Sequence, residues 1–140
     1  MHVLVFANGE VGGEIQAVVD ADDFDWVVCA DGGTQHARAL GLVPDLVIGD
    51  LDSLSTEDRR AIESAGVEFV SYPSSKDETD LELALLHVAE RGADKITVLG
   101  ACGGRMDHEL GNFLLLVHPR LKEIDVSIRS ANQRLTLVRR

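Results

Sequence analysis

Positive charge is what this chain has least of. Its 13 Lys and Arg stand against 24 Asp and Glu, for a formal net charge of −11. That excludes a nucleic-acid backbone as partner, because proteins that grip one carry a basic footprint. It does not exclude a nucleotide, since a cation can bridge carboxylates to phosphates. Cysteine is almost missing too. Cys29 sits in an apolar run and Cys102 in a glycine-rich stretch, and the pair makes neither a disulfide framework nor a zinc spacing. A reducing cytoplasm is the expected setting. Aromatic residues make up only 4%, too few and too dispersed for a base-stacking platform. No apolar run approaches the roughly 18 residues that span a bilayer. The amino end, Met1-His2-Val3-Leu4-Val5-Phe6, lacks the basic region and cleavage site of a signal peptide. His2, His36, His87 and His118 are scattered without ligand spacing, and only His108 lies beside a candidate site.

What is present is an alternation. Apolar runs at His2–Phe6, Val27–Ala30, Leu46–Ile48, Val67–Val70, Lys95–Leu99 and Ile124–Ile128 read as strands. All but the last carry Val, Ile and Leu on successive positions, as strands covered on both faces do. Between them lie stretches of helical length: Glu14–Asp20, Thr34–Leu40, Thr56–Ala65, Asp80–Arg91 and Asp107–Val117. Such alternation predicts one α/β domain, with a doubly wound, open, mainly parallel sheet and helices on both faces. Ser55 before Asp58, and Thr79 before Glu82, are capping arrangements; Gly66 and Gly92 mark helix ends. A further run, Gln133–Val138, reads as a strand that could lead onward into another domain.

Acidic and glycine-rich pieces follow the strands in turn. Asp31-Gly32-Gly33 comes after the second, Gly49-Asp50-Leu51-Asp52-Ser53 after the third, Lys76 to Asp80 after the fourth, and Gly100 to His108 after the fifth. In an open α/β sheet these loops share the carboxyl edge, where ligands bind. Four loops therefore deliver Asp31, Asp50, Asp52, Asp80 and Asp107 to one rim. Asp50 and Asp52, two apart in extended chain, should project together, and a carboxylate pair suits Mg²⁺.

Each piece also has a plainer reading. Gly32-Gly33 serves either a tight turn or a phosphate contact. Asp80 by itself fits a helix amino end, and Asp107 fits an N-cap. Asn8-Gly9 is a turn or a nucleotide contact. The Gly100–Gly104 loop can offer N–H groups to phosphate, although it is not the Gly-x-x-x-x-Gly-Lys-Ser/Thr loop. Arg105 beside it supplies a fork for phosphate. A phospho-receiver domain needs paired acids after strand one and a Lys after strand five. Ala7-Asn8-Gly9 and Gly100-Ala101-Cys102 stand there instead. An Asp-nucleophile phosphatase fails on the first strand likewise.

Together, Asp31-Gly32-Gly33, Pro44-Asp45, Gly49-Asp50-Leu51-Asp52-Ser53, Lys76-Asp77-Glu78-Thr79-Asp80-Leu81-Glu82 and Gly103-Gly104-Arg105-Met106-Asp107-His108 with Asn112 resemble the thiamine pyrophosphokinase family. The resemblance covers nearly the whole chain. It implies Mg²⁺-dependent transfer of a pyrophosphoryl group from ATP to the hydroxyl of thiamine, giving thiamine diphosphate and AMP. It implies catalytic and metal duty for Asp50, Asp52 and Asp80, with Asp31 as a further metal ligand. Asp31, Gly32, Gly33, Lys76, Gly103, Gly104, Arg105, Asp107, His108 and Asn112 would contact ATP or thiamine. Thr34-Gln35 departs from the family's usual Ala-Asn. The family continues into a carboxyl-terminal β-sandwich and is homodimeric, so residues 1–140 are expected to be the catalytic half. The alternative is a nucleotide-binding or regulatory α/β module without turnover.

Overall fold

The computed structural model describes residues 1–13, 15–50, 54–73, 77–130 and 133–139. Seven strands form one sheet: β1 (His2–Phe6), β2 (Trp26–Ala30), β3 (Leu46–Gly49), β4 (Glu68–Ser71), β5 (Lys95–Leu99), β6 (Asp125–Ser130) and β7 (Gln133–Thr136). Their spatial order is β4-β3-β2-β1-β5-β6-β7. Every neighbouring pair is parallel except β6 with β7. The helices are α1 (Ile15–Ala21), α2 (Thr34–Ala39), α3 (Thr56–Ala65), α4 (Asp80–Glu90) and α5 (Met106–Leu114). The doubly wound, mainly parallel α/β sheet expected from the alternation is the observed one.

Period-two alternation along each strand sorts its side chains between two apolar layers. Val3, Val5, Val28, Leu46, Ile48, Ile96 and Val98 pack with Leu81, Ala84, Leu85 and Val88 of α4. Leu4, Phe6, Cys29, Val47 and Leu99 meet Val18 of α1, Ala37 of α2 and Ile62 of α3 on the other face. Burial on both sides explains why β1 and β3 read as unbroken apolar runs.

Local signals set the helix ends. Ser55 Oγ accepts from Asp58 N, and Gly66 closes α3 at φ +67. Thr79 Oγ1 accepts from Glu82 N at the start of α4. The long predicted helix Asp107–Val117 is shorter in fact. It starts at Met106, stops at Leu114 and tightens into a 3-10 turn over Leu115–Val117. Pro119 is the reason: a residue before proline is pushed out of the helical region, and His118 lies at φ −61, ψ 130. β7 ends at Thr136, two residues short of the predicted Val138.

Candidate functional site

β1 has β2 on one side and β5 on the other, so the winding reverses between β1 and β5. A crevice opens outside the carboxyl ends of two such strands. Here their outgoing loops are stitched together at the base of it. Ala7 N donates to Leu99 O (2.7 Å), Gly9 N to Gly100 O (2.5 Å) and Glu10 N to Cys102 O (2.8 Å). A side chain at Gly9 would run into the carbonyl oxygens of Gly100 and Cys102, so the loops close only because glycine stands there. Above them lies a cleft of about 700 Å³, a size suited to a nucleotide-scale ligand.

Two acids reach this cleft from different strands. Asp31 opens the 3-10 turn Asp31–Gly33 directly after β2. It has φ +49, the one positive value at a non-glycine position among the described residues. Such backbone costs on the order of 1–3 kcal/mol and is characteristic of functional positions. Asp80 occupies the first turn of α4, where the helix dipole favours a negative charge. The two converge on the end of β3. A Cβ placed on Gly49 would lie 3.3 Å from the Asp31 backbone and 3.6 Å from Asp80 Oδ2. Asn8 Nδ2 approaches Asp31 Oδ2 at 3.5 Å.

The remaining wall comes from the loop after β5. Gly103 and Gly104 take φ +80 and +92 and lead to Arg105, the N-cap position of α5. Arg105 grips Asp107 through two of its three guanidinium nitrogens, Nε to Oδ1 at 3.1 Å and Nη2 to Oδ2 at 2.6 Å. That fork, followed by the His108 N–H, holds the Asp107 carboxyl below its ordinary range. Asn112 Nδ2 donates to Ala101 O (3.0 Å), tying α5 to the loop.

Asp31, Asp80, Gly103, Gly104, Arg105, Asp107, His108 and Asn112 thus all line one cleft. Asp50 stands next to Gly49 but outside the lining. Gly32 and Gly33 also lie outside it. A side chain at Gly32 would strike the Asn8 amide, and one at Gly33 the Phe6 carbonyl, so both glycines let the turn press on β1. Asp52 and Lys76 fall outside the described residues. Glu82 and Glu109 line the cleft without having been among the predicted site residues, and Asn8-Gly9, read as either a turn or a nucleotide contact, lines it too. For Asn8-Gly9 the signal was its position after strand one, which a turn explains equally well.

Among the described residues no three His, Cys, Asp or Glu gather as a metal cluster. A Mg²⁺ site needs only one or two carboxylates, with water and phosphate completing it, so the Asp31–Asp80 pair fits in donor type and number. Also among the described residues, no helix is long and apolar enough to cross a membrane.

Residues 20–128 match the family model described as thiamin pyrophosphokinase, catalytic domain. The chain belongs to that family. It is 40% identical to Bacillus subtilis thiamine pyrophosphokinase over 95 residues, 68% of this chain and 44% of that protein. It is 37% identical to thiamine pyrophosphokinase 3 of Oryza sativa over 110 residues, 64% of this chain and 41% of that one. Among solved structures, the Bacillus subtilis thiamine pyrophosphokinase superposes with a TM-score of 0.81 at 28% identity, covering 97% of this chain and 63% of that one. The pyrophosphokinase of Candida albicans, at 19% identity and a TM-score of 0.79 over 95% of this chain and 59% of that one, shares the fold. The chain spans less than half the length of these two curated family members.

Proposed function

We propose that this chain carries the Mg-ATP-handling part of a thiamine pyrophosphokinase, which transfers a pyrophosphoryl group from ATP to the hydroxyl of thiamine and releases AMP. The observation that carries the reading is the meeting of Asp31 and Asp80 at the β3 end of a switch-point cleft that Gly103-Gly104-Arg105 also lines. Family membership supplies the substrates.

The chemistry asks for little covalent participation. An alcohol must approach the β-phosphorus in line while AMP departs, so the protein's contribution is placement and charge neutralisation. Asp31 and Asp80 would hold Mg²⁺, with Asp50 following directly on Gly49. When bound, the ion draws charge from the phosphate oxygens. Arg105 brings a cation to the same cleft, its Nε and Nη2 already held by Asp107. The N–H groups of the glycine loop provide further donors. A net charge of −11 would otherwise repel a polyphosphate, so binding without the cation should be negligible. A homodimer in the cytoplasm is part of the same proposal.

Calorimetric titration tests it. Mg-ATP should bind, EDTA should abolish the heat, and Asp80→Asn should weaken binding roughly tenfold or more with the circular dichroism spectrum unchanged. AMP formed only when thiamine is present then separates the enzyme from a nucleotide-binding module without turnover. Equal heats with and without Mg²⁺ would sink the reading.

A further inference from the structure

His36 meets the cleft lining at the Gly9 carbonyl. Its Nε2 lies 2.6 Å from Gly9 O, reaching across from the middle of α2. A carbonyl oxygen only accepts, so Nε2 carries the hydrogen.

The peptide unit between Gly9 and Glu10 is consequently held at both poles. Its carbonyl is engaged by His36, and its N–H donates to Cys102 O at 2.8 Å. The preceding N–H, that of Gly9, is spent on Gly100 O. α2 is itself anchored where this matters, because Gly33 at its N-cap presses against the Phe6 carbonyl at the end of β1. Gly9 has no side chain to restrain it, and glycine explores conformations closed to other residues. Without the imidazole, only the Glu10 N–H bond to Cys102 O keeps that peptide from turning its carbonyl toward the cleft that Ala7, Asn8 and Gly9 line. An acceptor oxygen facing there would repel a phosphate-bearing ligand.

We propose that His36 is a positioning residue: it latches the Gly9–Glu10 peptide so that the β1 wall of the cleft is already shaped for an anionic ligand. This rests on the reading of the cleft as a Mg-ATP site, and the test keeps the two apart. Three proteins are compared, the unaltered chain, His36→Leu and His36→Gln, the last keeping an N–H donor of similar reach. Mg-ATP is titrated into each, and hydrogen exchange is followed at the Gly9 and Glu10 amides.

In His36→Leu, Mg-ATP affinity should fall about tenfold, the order that one hydrogen bond commands, and both amides should exchange at least several-fold faster. His36→Gln should recover most of both losses, which mere filling of space would not do. Unchanged affinity and exchange in His36→Leu, or a His36→Gln as impaired as His36→Leu, would overturn the latch. If the unaltered chain takes up no Mg-ATP, the nucleotide reading falls, and the exchange rates alone decide for or against the latch.

Discussion

Replacing Gly33 with alanine separates two roles that the Gly32-Gly33 pair can play. Gly33 has φ −57, an ordinary helical value that alanine adopts freely. Any cost must therefore come from the added methyl group. That carbon would sit 2.6 Å from the Phe6 carbonyl carbon and nearer still to its oxygen. The obstacle is backbone in the central strand of the sheet, with Phe6 fully buried, so it cannot rotate aside. Overpacking of this kind costs about 1–3 kcal/mol, and an immovable neighbour argues for the upper end. At about 3 kcal/mol the melting temperature should drop by roughly 10 °C. Gly66→Ala is the control. There the backbone is left-handed at φ +67 but open space surrounds the new methyl, so the cost should be about 1–2 kcal/mol. Urea midpoints of the two variants give the comparison. If Gly33→Ala is no less stable than Gly66→Ala, the packing argument is wrong; if it also loses Mg-ATP binding with its stability intact, Gly33 is a ligand contact.

Thr79→Ala removes the acceptor for Glu82 N at the start of α4. It should cost about 1 kcal/mol in urea unfolding and also weaken Mg-ATP binding, because Asp80 sits in the turn that the cap secures; an unshifted midpoint would refute the cap's contribution. Burial pushes the Cys29 thiol up to about 12, whereas Cys102 is only partly buried. A disulfide reagent at pH 8 should therefore modify one thiol of the folded chain and a second only on unfolding. The folded state then holds a proton that the unfolded chain releases above its ordinary thiol pKa of 9.0. Stability from this group is thus full below pH 9 and falls between pH 9 and 12, by up to about 1.4 kcal/mol per pH unit. Cys29→Ser should lessen that slope in denaturant titrations run across the window, and an unchanged slope would assign it to other groups.

Much of this protein was open to reading along the chain, because the forces involved act over a few residues. The caps at Ser55 and Thr79, the stop at Gly66 and the apolar runs of β1 and β5 all report short-range hydrogen bonding or burial on both faces. The order of acidic loops along a parallel sheet was enough to place Asp31, Asp80 and Asp107 on one rim. Where the reading slipped, a neighbour was responsible, as when Pro119 drew the end of α5 into a 3-10 turn.

Linear order could not say that β1 and β5 would lie side by side, and with them Asn8, Gly9 and Gly100. It could not say that Gly33 backs onto the Phe6 carbonyl, or that His36 closes on Gly9 27 positions away. Those facts depend on strand order and on backbone approaching backbone. A residue's neighbours along the chain determine its capping, turn and burial preferences, whereas the packed sheet alone decides which distant groups it meets.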